Sequence, residues 1–388
     1  MSQLINLNVF KDFFRSSNAG GILLFICVIL SLIIANTSIA SSLQNFLDYK
    51  IGFENDSIHL NYSILLWIND GLMAIFFLLV GLEIKREIVE GELSSPKKAS
   101  LPILCAIGGA VIPAIIYLGL NAGQETSSGW GIPMATDIAF ALAVINLLGD
   151  KIPSSLKIFL AALAIVDDLI AILVIALFYS SGIDFTNLGF AGIGMLLLIV
   201  FNRLNIRNLA FYLIPGIFIW YFVHHSGIHA TIAGVLVAMT IPVSTPKKDS
   251  PLLKLEHALV FPVNLLIIPI FAFANTNITI QPASFEGILS PLGLGIGVGL
   301  LLGKPIGIGL LAFICTKIGL SSLPQNCNWK HIIGVGLVAG IGFTMSIFIS
   351  ILSFNKVEII EEAKLMVLLT SLFAGLCGYI ILRNIKSI

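Results

Sequence analysis

Ile158-Phe-Leu-Ala-Ala-Leu-Ala-Ile-Val-Asp167-Asp168-Leu-Ile-Ala-Ile-Leu-Val-Ile-Ala-Leu-Phe-Tyr-Ser-Ser-Gly-Ile183 is the stretch on which the fold turns. Apart from its two aspartates it carries no charge, and it exceeds the ~20 apolar residues that cross a bilayer as a helix. At ~1.5 Å per residue, Asp167 lies ~14 Å from Ile158, close to the midplane. A carboxylate there costs at least ~2.5–3.5 kcal/mol, and two side by side also repel. Keeping both points to an ion or proton path; a local structural polar pair is the other reading.

The rest of the chain agrees with a membrane setting. Its 388 residues are 57% hydrophobic and 11% charged, with a mean hydropathy of +1.01, which excludes a soluble globular domain. Apolar stretches of spanning length recur from Gly21 to Ile385, and the short alternating segments of an outer-membrane barrel are absent, so the class is an all-α polytopic membrane protein. The charge is balanced, with no basic arm or acidic tail to suit nucleic acid. Cys27, Cys105, Cys315 and Cys377 lie in apolar segments and Cys327 in a loop, without metal-ligand spacing, and no cofactor is expected. Lys11 and Arg15 before Ile22–Ala35 have some look of a secretory signal, but the spans that follow favour an uncleaved first helix.

Hydropathy and loop signals predict twelve spans, at about 20–40, 63–82, 101–121, 130–148, 156–180, 186–202, 208–223, 227–242, 257–275, 288–315, 331–353 and 363–383. Lysine and arginine number 21. With Lys304 inside a span, only Lys50, Lys356 and Lys364 fall on one side and all the others on the opposite side. The positive-inside rule then makes both termini cytoplasmic, residues 1–19 and 384–388. The whole chain, 1–388, is read as a single membrane domain, with spans 1–8 over 20–242, a cytoplasmic linker at 243–256 and spans 9–12 over 257–383. The long external loop 41–62 has the pattern of a short β-hairpin.

Further ionisable residues fall inside spans, and each has a distinctive setting. Asp137 follows Gly129-Trp-Gly-Ile-Pro133-Met-Ala-Thr136, where Gly and Pro argue for an interrupted helix. Broken backbone at membrane depth is tolerated only where it lines a polar cavity or is covered by protein. A second interruption is predicted in Gly334-Val-Gly-Leu-Val-Ala-Gly340-Ile-Gly342-Phe-Thr344, although close packing through small residues is an alternative for each glycine run. Breaks seven spans apart imply an inverted repeat of spans 3–5 and 10–12. Lys304, in Gly303-Lys304-Pro305, needs a counter-charge from Asp167, Asp168 or Asp137.

Two adjacent buried carboxylates titrate as a unit. With hydroxyl and carbonyl oxygens such as those of Thr136 they form a hard site, suited to Na+ and unsuited to soft metals. Oxygens that hold either protons or a hard cation are the minimum equipment for exchange. At the cytoplasmic end, Glu83-Ile-Lys85-Arg86-Glu87 and Glu256-His257 read either as solvated ion pairs or as a pH-responsive cluster. His224, His225 and His229 cluster at the external side, where no acidic ligand is expected to accompany them, so a metal site is not predicted.

At this point the chain resembles a known family, the NhaA-type Na+/H+ antiporters of bacteria. The similarity runs from about Ser16 to the end and is carried by Asn69-Asp70-Gly-Leu-Met-Ala-Ile-Phe-Phe-Leu-Leu-Val-Gly-Leu-Glu83-Ile-Lys-Arg-Glu87, Ile132-Pro-Met-Ala-Thr136-Asp137-Ile-Ala-Phe, Ala164-Ile-Val-Asp167-Asp168-Leu-Ile-Ala-Ile, Ser226-Gly-Ile-His229-Ala-Thr-Ile-Ala-Gly, Leu302-Gly-Lys304-Pro-Ile-Gly and Ala339-Gly-Ile-Gly342-Phe-Thr-Met-Ser-Ile-Phe. The resemblance implies twelve transmembrane helices with inverted repeats and two interrupted helices crossing near the midplane, with Pro133, Gly340 and Gly342 at the breaks. It implies electrogenic exchange of Na+ or Li+ for two protons across the bacterial inner membrane by alternating access, a transporter and not an enzyme. By analogy Asp167 and Asp168 carry the cation and protons, Thr136 and Asp137 line the broken segment, and Lys304 supplies charge compensation. Glu83, Arg86, Glu87, Glu256 and His257 match the family's pH-response cluster, and His229 a position tied to the pH profile. Besides Na+, Li+, H+ and membrane lipid, the implied partner is a second copy of the chain, through loop 41–62. One departure stands out: Leu255-Glu256-His257-Ala-Leu259-Val260-Phe-Pro262 lacks the family's second histidine, at Val260.

Two rival functions also need intramembrane charge. A Na+-coupled organic-anion symporter has a use for Lys304 but no evident polar lining beyond it. An intramembrane aspartyl protease, with Asp137 and Asp167 sharing a proton, has no use for the Asp-Asp adjacency or the lysine.

Overall fold

In lipid every backbone polar group must be satisfied within the chain, so long apolar runs become helices, and helices dominate this protein. The computed structural model describes residues 19–55, 59–180, 182–243, 250–280 and 287–385. Lys11, Arg15, Lys247, Lys248, Lys386, the tip of loop 41–62 at 56–58 and residues 244–249 of the expected linker lie outside the described residues.

Helix α1 (Ala19–Ala35) turns by 111° into α2 (Ala40–Asp48). A hairpin follows, β1 (Lys50–Ile51) antiparallel to β2 (Tyr62–Ser63), with Lys50 opposite Ser63 and Ile51 opposite Tyr62. The long helices are α3 (Ile64–Glu90) and α4 (Pro96–Asn121). The 3-10 segment Glu125–Met134 then leads into α5 (Ile138–Leu147). Next come α6 (Ser154–Phe178), α7 (Phe185–Arg203), the shorter α8 (Ala210–His225) and α9 (Thr231–Thr240), α10 (Pro251–Asn275) and α11 (Pro291–Lys317). The bent pair α12 (Trp329–Ala339) and α13 (Phe343–Ser353), at 47°, precedes α14 (Val357–Arg383). Among the described residues, eight helical segments have the length and apolarity to cross a bilayer, or up to ten if each bent pair is one span.

Several boundaries differ from those read in the sequence, each for a local reason. Helix α3 continues past 82 to Glu90, because Glu83, Lys85, Arg86 and Glu87 are good helix formers and the helix need not stop where its apolar part does. Helix α10 starts at Pro251 rather than 257, so residues 251–256 of the expected linker are helical; proline suits the first turn of a helix. Helix α14 likewise starts at Val357 rather than 363. Three helices contain π turns, at Trp67–Leu72, Val263–Ile267 and Gly299–Gly303. The last precedes Pro305, and the second is followed by Pro269. Proline lacks the amide that would bond four residues back, and a π turn re-routes the ladder.

Helices α4 and α11 approach at Gly108 and Gly307, where a methyl on either would come within 2.3 Å of the other's backbone oxygen. That contact fixes α11, and with it Lys304, against the centre of the bundle. Gly334 and Gly336 lie within α12 as the small-residue alternative has it, and the break falls only at Gly340–Gly342.

Candidate functional site

Two chain breaks meet in the middle of the bundle. Ala135, Thr136 and Asp137 have no helical structure between the 3-10 segment and α5, and Gly340–Gly342 separates α12 from α13. The Asp137 amide donates to the Ile341 carbonyl at 2.7 Å, and the Thr136 hydroxyl to the Ala339 carbonyl at 2.8 Å. Ser346 adds a bond from its hydroxyl to the Ile132 carbonyl at 2.7 Å. Backbone groups freed by each break are thus taken up by the other, which makes the paired arrangement tolerable in a low-dielectric interior.

Asp137 serves two helix starts with one carboxylate. Its Oδ1 accepts from the Phe140 amide at 3.0 Å, in the first turn of α5. Its Oδ2 accepts from the amide of Thr344 at 3.1 Å, in the first turn of α13, and from the Thr344 hydroxyl. The positive ends of both helix dipoles therefore converge on this acid. Lys304 stands where the opposite charge is needed: its Nζ donates to the Thr136 hydroxyl at 2.7 Å, which in turn bonds the last carbonyl of α12.

Lys304 also donates to Asp167 Oδ2 at 2.7 Å, and both side chains are essentially inaccessible. Of the three acids that sequence offered as its counter-charge, Asp167 is the one it contacts. Asp168, one residue on, points elsewhere. Its Oδ1, like Oδ1 of Asp167, is buried with no hydrogen-bond partner among the described residues. Burying such an oxygen unpaired costs ~1–3 kcal/mol or more for a charged group, so a proton or cation bound at these oxygens would lower that cost.

A cavity of about 520 Å³ reaches Asp168 and Asp137 and is also lined by Glu83, Asn146, Asn264, Val260 and Thr344. Glu83 and Val260 belong to the end of the bundle away from the hairpin, so the aspartates are approached from that end. Nearby, Arg86 pairs with Glu256 and, at 3.2 Å, with Glu87. These acids and Arg86 come together as the sequence suggested. His257 is different: it is exposed, with no hydrogen bond to the cluster. Lys85, read in the sequence as a loop charge, donates to the carbonyls of Met239 and Ile241 and so caps the C-terminal end of α9.

At the hairpin end one expectation is overturned. An acid does accompany the histidines: Asp70 Oδ2 lies 3.2 Å from His224 Nδ1. The π turn at Trp67–Leu72 brings Asp70 to α8, a contact invisible to residue spacing. Even so, among the described residues no three His, Cys, Asp or Glu side chains are grouped to hold a metal ion. His229 sits apart, its Nδ1 buried without a partner among the described residues and its ring 5.9 Å from that of Phe348. Sequence reasoning, directed at ionisable residues, also passed over Asn146 and Asn264; polar amides interrupting apolar helices were the available signal.

Comparison with known proteins bears on this geometry. Residues 11–382 match the family described as Na+/H+ antiporter 1. The chain is 60% identical over 385 residues to Na+/H+ antiporter NhaA 2 of Flavobacterium johnsoniae, covering 99% of this chain and 94% of that one. It is 50% identical to Na+/H+ antiporter NhaA of Flavobacterium psychrophilum, covering 97% and 96%. To Na+/H+ antiporter NhaA of Escherichia coli it is 46% identical, covering 96% and 97%.

Proposed function

The chain belongs to the Na+/H+ antiporter 1 family, and from that premise we propose that it exchanges Na+, and also Li+, for two protons per cation across the bacterial inner membrane. It is a multi-pass membrane transporter, not an enzyme. The exchange is electrogenic, is driven by the proton gradient and serves sodium and pH homeostasis. The observation that carries this reading is the contrast within one turn of α6: Asp167 is held by Lys304, while Asp168 lines the cavity with a buried oxygen unpartnered.

In the proposed cycle a cation reaches Asp168 through the cavity and displaces a proton, because the same oxygens cannot serve both. Asp167 exchanges its lysine for a proton or for a share of the cation. Thr136 joins Lys304 to the crossing, so a change at the aspartates is felt by both broken helices. Asp137, with both oxygens already accepting hydrogen bonds, holds those helices together and takes the cation only secondarily. Glu83, Arg86, Glu87 and Glu256 stand beside the cavity mouth as the pH-responsive group, with His257 and His229 as more distant contributors.

The accompanying architecture is twelve spans with spans 3–5 and 10–12 as inverted repeats, both termini cytoplasmic and the cavity opening to the cytoplasm. The hairpin of loop 41–62, paired through Lys50–Ile51 and Tyr62–Ser63, is the surface offered to a second copy of the chain.

Purified protein in vesicles with an imposed pH gradient should collapse that gradient when Na+ or Li+ is added. Radiolabelled Na+ uptake with and without the gradient separates this from symport; uptake indifferent to the proton gradient would refute exchange.

A further inference from the structure

Asparagine inside an apolar helix needs a reason, since a lone amide in a bilayer interior has few partners. Asn69 and Asn275 satisfy one another across α3 and α10, at 2.7 and 3.3 Å. Asn121 donates to the carbonyls of Tyr117 and Pro291. Asn187 bonds Asp184, and Asn202 the Thr240 carbonyl. Asn146 and Asn264 break this rule: both line the cavity that reaches Asp168, and neither side chain hydrogen-bonds another described residue.

The backbone brings these two amides to a common space. Asn264 lies on the π turn Val263–Ile267, and Pro269 removes the amide that would ordinarily bond the Leu265 carbonyl, so both its side chain and its local backbone are irregular where Val263, Asn264 and Leu265 line the cavity. Asn146 lies near the end of α5, one turn after Ala143. The start of α1 lies against both helices: a methyl on Gly20 would come 3.3 Å from the Asn264 carbonyl oxygen, and one on Gly21 2.9 Å from Ala143 Cβ. Glu83, also without a hydrogen bond to another described residue, supplies a carboxyl group on the α3 wall.

We propose that Asn146 and Asn264, with Glu83, form a second cation subsite in the cavity, a station at which Na+ or Li+ exchanges part of its hydration shell before reaching Asp168. Two amide oxygens and one carboxylate are hard donors of the kind these cations prefer. With no rigid three-acid cage, the subsite keeps most of the ion's waters and releases it readily. Asn146 and Asn264 are thereby ligands on the cation's approach, and the exchange step stays at Asp168.

The subsite rests on the antiport reading, and proteoliposome exchange measured against Na+ concentration separates the two. In the Asn146→Ala, Asn264→Ala double variant the Na+ concentration for half-maximal exchange should rise about three- to tenfold, as expected for lost hydrogen-bond-strength contacts to an ion, with the maximal rate retained. Asn264→Gln, which keeps the amide, should restore part of the loss. An unchanged half-saturation in the double variant, or a fall in maximal rate alone, overturns the subsite while leaving antiport intact. Absence of Na+-dependent exchange in the unsubstituted protein overturns both.

Discussion

Asp137 and Asp168 are the same residue type, equally buried, in the same small volume, and they are treated in opposite ways. Every oxygen of Asp137 accepts hydrogen bonds, from two helix starts and a hydroxyl. Asp168 keeps Oδ1 unpartnered beside a cavity. A buried acid whose oxygens are all satisfied is a fixture of the structure, whereas one with an unsatisfied oxygen beside a cavity is a place where a proton or ion can come and go. The contrast separates an acid that holds the crossing together from the acid proposed to exchange ions.

The widest separation should come from neutralising each acid in turn. Asp168→Asn should reduce exchange by at least about 100-fold, beyond what one lost hydrogen bond explains, while the thermal unfolding midpoint holds, because the protonated acid and the amide are both neutral and alike in size and Oδ1 has no hydrogen-bond partner to lose. Asp137→Ala should instead destabilise the protein by about 2–4 kcal/mol, for two uncapped helix starts and lost charge-assisted bonds, read as a lower midpoint accompanying the lower rate. If both variants lose rate at constant midpoint, Asp137 and Asp168 do not differ in this way.

Lys304 tests the boundary between the two acids, since it bonds Asp167 on one side and the Thr136 link on the other. Lys304→Ala strands Asp167 without its partner and should destabilise by about 3–5 kcal/mol, visible as a lower midpoint in detergent. A Lys304→Ala protein as stable as the original would mean that Asp167 is not charged when paired.

These assignments also mark what was legible in the sequence. The aspartate pair, the break before Asp137, the break at Gly340–Gly342 and the buried lysine all stand out because charge, glycine and proline are improbable in a spanning helix. Which acid Lys304 takes was not legible, because adjacent residues on a helix point about 100° apart and only packing decides which one faces α11. The Asp70–His224 contact was hidden for a related reason: it joins α3 to α8 and depends on a π turn that shifts the helical phase. Asn146 and Asn264 were passed over because neither is ionisable, although their position against apolar neighbours was plain.

A smaller effect is expected at Val260, which lines the cavity where the family pattern has a histidine. Val260→His places a group that titrates near neutrality beside Glu83 and the Arg86 pairs, and should move the pH profile of exchange with little change in maximal rate. An unmoved profile would mean that the missing histidine has no bearing on pH response.

The smallest effect should come from the solvent-exposed pair at the hairpin end, Lys356 with Glu125 at 2.7 Å. Glu125 holds the Lys356 ammonium above the ordinary lysine value. A raised pKa in the folded state adds stability that is full below the unfolded value and lost as pH rises through the folded one, so any contribution fades only above pH ~10.4. Glu125→Gln should lower the Lys356 pKa, read by NMR, and leave exchange and the unfolding midpoint at neutral pH unmoved.

Competition at Asp168 is the centre of the account, and proton release reads it most directly. Na+ added to the purified protein in weakly buffered detergent solution should release protons from the unsubstituted protein and none from Asp168→Asn. Equal release from both proteins, or Na+ binding without release from the first, would contradict it.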